Sequence, residues 1–295
     1  EAAGQAASEQ TAEGKQTTYP LTVTDASGKE IVFTEPPQRI VSLSPSETEV
    51  LFALGLDGRI VGVTDYCNYP EAALGKPKVG GLQGNIEAIM ALEPDLVIGG
   101  LSLNKDTLQY LEKQGLTVFQ VEPKSIDQAI ERILQIGVIT DTLEQAEQVA
   151  AQMKKERQIV QDALQDLAPE EKKRVYLEFS PGYTVGKGEF MDELITLAGG
   201  INVAGDQEGW IQISEEKIIE ADPEVIIYTE GPDNLKETII ERSGWENITA
   251  IREGRLHSVN DDLISRPGPR ITQGLLSIAH AIYPERVERF IPASE

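Results

Sequence analysis

Short apolar runs alternate with longer helical patterns along this chain, and turn residues separate them. Leu21–Thr24 and Glu30–Phe33 carry apolar residues at every second position and flank the turn segment 25–29, which predicts a β-hairpin. After Pro36-Pro37, Ile40–Leu43 reads as a buried strand. Ser46, with Glu49 three residues on, reads as a capping box that opens a helix, and Gly55 ends it. Strands and helices go on alternating to the end of the chain, so the fold class is α/β with mostly parallel sheets.

The pattern repeats. Arg39, a buried strand and Ser44-Pro45 recur as Arg174, a buried strand and Ser180-Pro181. The segment from Glu49 to Gly55 recurs from Glu193 to Gly199. Residues 85–98 and 214–227 align without a gap and share Glu87/Glu216, Ile89/Ile218, Pro94/Pro223 and Ile98/Ile227. Each unit is a helix with an acidic first turn, then Pro, then a buried strand. The repeat predicts two related α/β lobes, at 19–139 and 169–295.

Residues 142–167 between them contain neither Gly nor Pro. Leu143, Ala146, Ala150, Met153, Val160, Leu164 and Leu167 fall on one helical face. A helix of about 26 residues would span roughly 39 Å. The segment 140–168 is therefore expected to be a rigid interlobe helix, which argues against a large hinge closure. Residues 1–18 have no Val, Ile, Leu or aromatic residue and are expected to form a flexible tail.

Length agrees with this division, since 295 residues are many for one core and ordinary for two domains. Charge narrows the function. The net of −23 is spread over every segment, so it reads as a solvated acidic surface; it also repels nucleic acid and anionic lipid. No apolar run is long enough to span a membrane. A single cysteine, Cys67, excludes an intramolecular disulfide and a Cys-based metal site. It reads as a small packing residue, because no base or cation stands near it in sequence. Only His257 and His280 offer imidazoles, and both read as structural.

In parallel sheets, ligands sit beyond the carboxyl ends of the strands, and two facing lobes place those loops in one cleft. The loops hold Tyr66, Tyr69, Tyr183 and Trp210, a large share of the 16 aromatics. Tyr66, Tyr183 and Trp210 read as planar apolar surface offered to a ligand, and Tyr69, beside Pro70, as a core ring. Asp261, Asp262, Arg266 and Arg270 share one loop before the last helix, where they either pin the loop or bond to the polar edges of a ligand. The chain lacks GxGxxG opening a helix, a Walker loop, GxSxG and HExxH, so no enzyme is expected.

The ordered set RIVSLSPSETEVLFALG, VGVTDYCNYP, VGGLQGNIEAIMALEPDLVIGG, the central helix, and RVYLEFSP with WIQISEEKIIEADPEVII and SRPGPRI carries a likeness. From about Tyr19 to Phe290 it resembles the helical-backbone substrate-binding proteins of ABC importers, the class that handles vitamin B12, ferric siderophores and haem. The details are most similar to the vitamin B12-binding members. The resemblance implies two Rossmann-like lobes, one rigid helix and a shallow cleft (the class III periplasmic-binding-protein architecture). It implies a non-catalytic, monomeric binder with no cofactor, partnered by a permease homodimer with its ATPase subunits. The expected ligand is a corrinoid, vitamin B12 or a related cobamide; haem or a ferric siderophore is the alternative.

The resemblance places Tyr66, Leu82, Tyr183, Trp210, Asp262 and Arg266 against the ligand. Leu82 and Leu101 stand where it expects tryptophans. It gives Glu87 and Glu216 the role of docking with arginines of the two permease subunits. A chain that starts without Met fits removal of an export or lipoprotein signal. Residues 1–18 would then be the spacer of a lipid anchor on the outer face of the cytoplasmic membrane.

Overall fold

A computed structural model describes residues 16–231 and 234–290. The first part of the chain holds β1 (Leu21–Thr24), β2 (Glu30–Phe33), β3 (Ile40–Ser42), α1 (Pro45–Ala53), β4 (Ile60–Val63), α2 (Ile86–Ala91), β5 (Leu96–Gly100), α3 (Lys105–Lys113), β6 (Val118–Val121) and α4 (Ile126–Thr140). The helix α5 (Leu143–Leu164) follows. Then come β7 (Arg174–Glu178), β8 (Tyr183–Val185), α6 (Phe190–Leu197), β9 (Ile201–Asn202), β10 (Trp210–Gln212), α7 (Glu215–Ala221) and β11 (Val225–Thr229). The chain closes with α8 (Leu235–Ile240), α9 (Thr249–Arg252), β12 (Leu256–Val259), α10 (Asp261–Ser265), α11 (Ile271–Ile282) and α12 (Pro284–Val287).

Two four-stranded parallel sheets result, in the orders β4-β3-β5-β6 and β9-β7-β11-β12. Matching β3 to β7 and β5 to β11 makes the two orders the same, so the sequence repeat is also a repeat of topology. It reaches the backbone. Arg39 Nε donates to the carbonyls of Leu92 and Glu93 at the end of α2, at 3.2 and 3.0 Å. Arg174 Nε donates to those of Ala221 and Asp222 at the end of α7, both at 3.0 Å. Each arginine thus caps orphan carbonyls at the negative end of a helix dipole. Glu93 and Asp222, each just before its proline, take matching left-handed conformations with φ of 47° and 43°. The hairpin β1–β2 forms as expected, with Leu21 opposite Phe33.

Helix α5 has 22 residues and spans about 33 Å, shorter at both ends than the pattern predicts. Ala146, Ala150, Met153, Val160 and Ala163 are its buried face. It packs on α4, α11, α12 and α1, so it is sunk into a core that runs from Ile31 to Val287 rather than bridging through solvent. Among the described residues, no helix is long and apolar enough to cross a membrane.

Three expectations need correction. Helix α1 begins at Pro45 with Ser44 as its N-cap, because proline suits the first helical position. Ser46 lies inside the helix, and no capping box with Glu49 forms. Trp210 is not in a loop: it opens β10, which pairs antiparallel with β8, Trp210 opposite Val185. Of the expected tail, residues 1–15 lie outside the described residues, but Thr17 is held. Its N–H donates to Asp141 Oδ1 at 2.7 Å and its hydroxyl to the Val138 carbonyl at 2.9 Å, using acceptors at the carboxyl end of α4.

Candidate functional site

The cleft follows from the topology. Within each sheet the connections leave in opposite directions on either side of β3/β5 and of β7/β11, and such switch points open a crevice at the carboxyl edge. A cavity of about 650 Å³ lies there, lined from both halves of the chain. Ser44–Glu47 line it after β3, Tyr66 after β4, Gly100 after β5 and Glu122–Lys124 after β6. From the second half come Phe190, Trp210 and the segment around α10 from Asp261 to Pro267.

Of the six expected contact residues, Tyr66, Leu82, Trp210, Asp262 and Arg266 come together around this cavity. Tyr66 and Trp210 are each 54% exposed, too much for core rings. Trp210 stands edge-on to Phe179 with centroids 4.9 Å apart, which orients the indole. Tyr183 is also exposed but is not among the residues around the cavity; its ring lies 6.3 Å from Phe179, one strand over from Trp210. Leu101 is not around the cavity either, and Leu103 takes its place.

Tyr69 is not a core ring. It is exposed, and the Arg270 guanidinium stacks 3.6 Å from its ring centroid, a cation–π contact between the two halves. Cys67 is buried, its Sγ 3.1 Å from Thr48 Oγ1 and 3.2 Å from Thr64 Oγ1, as a packing residue would be.

A polar seam runs beneath the cavity. Arg270 grips Glu49 with Nε to Oε2 at 2.8 Å and Nη2 to Oε1 at 2.7 Å. Arg266 Nη1 donates to Glu49 at 3.1 Å and to Asn68 Oδ1 at 2.7 Å, while its Nη2 pairs with Asp262 at 2.7 Å. The hydrogen bonds it donates to Glu49 hold the Arg270 guanidinium above its ordinary pKa range. Arg132 pairs with Glu47, both fully buried, and donates to the Pro267 carbonyl. Burial pushes the Glu47 carboxyl up and the Arg132 guanidinium down. The repeat supplies a counterpart to Glu49 here too, since Glu193 Oε2 accepts from the Ile126 N–H across the same seam.

Sequence patterns miss Glu47, Glu49 and Arg132 because the partners stand 85 and 221 residues apart. The one available signal was the string of polar residues in α1 where a buried face was required. Replacing Glu49 with Ala strands the mostly buried Arg270 guanidinium and leaves Arg266 with Asp262 and Asn68. The expected cost is about 3 kcal/mol, read as a shift of the urea unfolding midpoint, with Glu49→Gln costing less. An unchanged midpoint in the Ala variant would show that the seam does not hold the two halves together.

The paired glutamates sit at matching places. Glu87 and Glu216 are each the second residue of their helices, α2 and α7, and both are exposed. Asn85 and Ser214 cap those helices, accepting from the N–H groups of Ala88 and Lys217. Each helix leads back into the amino end of a central strand, so its own N-terminus lies at the carboxyl edge, the same edge as the cleft.

The likenesses to known proteins agree with this geometry. Residues 40–263 match the family model described as periplasmic binding protein. An uncharacterised ABC transporter substrate-binding lipoprotein of Bacillus subtilis is 35% identical over 292 residues, covering 96% of this chain and 92% of that protein. A cobalamin-binding protein of Halobacterium salinarum is 33% identical over 276 residues, covering 90% of this chain and 74% of the relative. Among solved structures, the apo periplasmic haem-binding protein of a Roseiflexus species superposes with a TM-score of 0.75 at 27% identity, covering 84% of this chain and 99% of the other. Two parallel sheets of one topology, a cleft at their carboxyl edges and this family match together show that the chain belongs to the periplasmic binding protein family.

Proposed function

We propose that this chain is the extracytoplasmic substrate-binding component of an ABC importer, and that it carries a corrinoid in the interlobe cleft. The observation that carries the reading is the pair of half-exposed rings, Tyr66 and Trp210, placed with Leu82 around a cavity of about 650 Å³. Exposed planar apolar surface in a concave site suits a flat macrocycle. The cobalamin-binding relative supports the ligand class, and the lipoprotein relative supports a place outside the cytoplasm. Function is capture and release: Glu87 and Glu216 dock on a permease homodimer, one carboxylate per half facing one subunit. Residues 19–139 and 169–295 act as the two lobes, α5 fixes their relation, and the segment before Thr17 serves as the tether of a lipid-anchored monomer.

Haem is the second reading, favoured by the phenol of Tyr66 at the cleft, which could serve as an axial ligand. Titration followed by Trp210 fluorescence and by calorimetry decides between them, using cobalamin, cobinamide, haem and a ferric siderophore. Tight binding of a corrinoid is expected. Failure of both corrinoids beside tight binding of haem or the siderophore would overturn the corrinoid reading and leave the importer reading intact.

A further inference from the structure

The cleft contains cations, yet each one is already spent on a carboxylate of this chain. Arg132 pairs with Glu47, Lys124 with Glu122 at 3.2 Å, and Arg266 with both Asp262 and Glu49. Two further carboxylates line the cavity, Glu189 and Asp261; among the described residues neither forms an ion pair, because Arg266, which attracts Asp261 from a distance, is bound to Asp262 and Glu49. The Lys124–Glu122 pair lies at the exposed rim, where solvent screens it. The half-buried floor therefore presents surplus negative charge. Burial first, and the adjacent Asp262 carboxylate second, push the Asp261 carboxyl up, outweighing the opposing attraction of Arg266.

We infer that the cleft selects its ligand by charge: Glu189 and Asp261 accept hydrogen bonds from a neutral or cationic ligand, such as a macrocycle edged with amides, and repel one edged with carboxylates. The inference rests on the reading of this cleft as the ligand site. An amide N–H can satisfy an unpaired carboxylate oxygen, whereas a ligand carboxylate would bring like charges together in a partly desolvated site. The net charge of −23 acts in the same direction during approach, because anionic ligands are slowed by the field of the whole protein.

Matched ligands of equal size provide the test. Cyanocobalamin, which is electrically neutral, is compared by calorimetry with its monocarboxylic acid, in which one peripheral amide has become a carboxylate. The acid is expected to bind about tenfold more weakly at low salt, and added salt should narrow the gap. A chain carrying Glu189→Gln and Asp261→Asn should bring the two affinities together, mainly by improving the acid. Equal or tighter binding of the acid by the unaltered chain overturns the inference, and so does a gap that the double variant leaves unchanged. Should neither corrinoid bind, the corrinoid reading falls, and the charge rule is decided on a second ring. Haem binding more weakly than its bis-amide upholds the rule, and the reverse order overturns it.

Discussion

A chain carrying Glu87→Lys and Glu216→Lys is expected to capture ligand with unchanged affinity and to lose delivery through the permease. Both side chains are exposed, and neither is around the cleft cavity. The helices keep their caps, because Asn85 and Ser214 supply them. Each reversal costs the fold only the macrodipole term, about 0.5 kcal/mol. At the permease the balance differs. The resemblance puts arginines opposite these carboxylates, so each lysine would replace an attraction with a repulsion that is partly desolvated on docking. Losing such a pair costs on the order of 100-fold in affinity per site. Transport by vesicles containing the permease and ATPase should then fall to background in the double reversal. Each single reversal should fall between, and Gln at both positions should weaken transport less than Lys. Normal transport by the double variant would remove the docking role; weakened ligand binding would place the glutamates in the wrong part of the molecule.

Replacing Trp210 with Ala is expected to weaken ligand binding by roughly 30-fold, the usual consequence of losing a well-placed aromatic anchor. The ring is half exposed, and among the described residues its one ring contact is the edge-on packing against Phe179. Strand β10 is held to β8 by backbone pairing, so the fold should survive the truncation. Phe at 210 should keep most of the affinity by retaining a planar face, and Tyr66→Ala should reproduce much of the loss. Calorimetry reads the affinity, and thermal unfolding checks that the midpoint stays within a few degrees. An affinity that does not move in either Ala variant would exclude the rings from ligand contact and with it the stacking basis of the corrinoid reading. Haem and corrinoid should both respond, so this experiment tests the surface and the charge-matched ligands test its selectivity.

Much was legible along the chain because it depends on short-range periodicity. The β1–β2 hairpin, the strand from Ile40, the long helix over Leu143–Leu164 and the doubled Arg–strand–Ser-Pro motif all arise from neighbours a few positions apart. The repeat even foreshadowed detail: Arg39 and Arg174 reach the same carbonyls in the two halves, and Glu49 and Glu193 both reach across the seam. The family resemblance grouped Tyr66, Leu82, Tyr183, Trp210, Asp262 and Arg266, and all but Tyr183 stand around the cavity at the carboxyl edge.

Local pattern misled where a distant partner outbid it. Ser46 and Glu49 have the spacing of a capping box, but Pro45 starts the helix earlier and Glu49 turns toward Arg270. Tyr69 beside Pro70 looked like a core ring until the same arginine stacked on it in the open. By itself, then, the sequence determined two like α/β halves, the helix between them and the edge at which a ligand would enter. Tertiary structure alone decided which of the cleft's charges are spent and which are free, because an ion pair between residues 85 or 221 positions apart depends on distance in space, and no spacing along the chain encodes it.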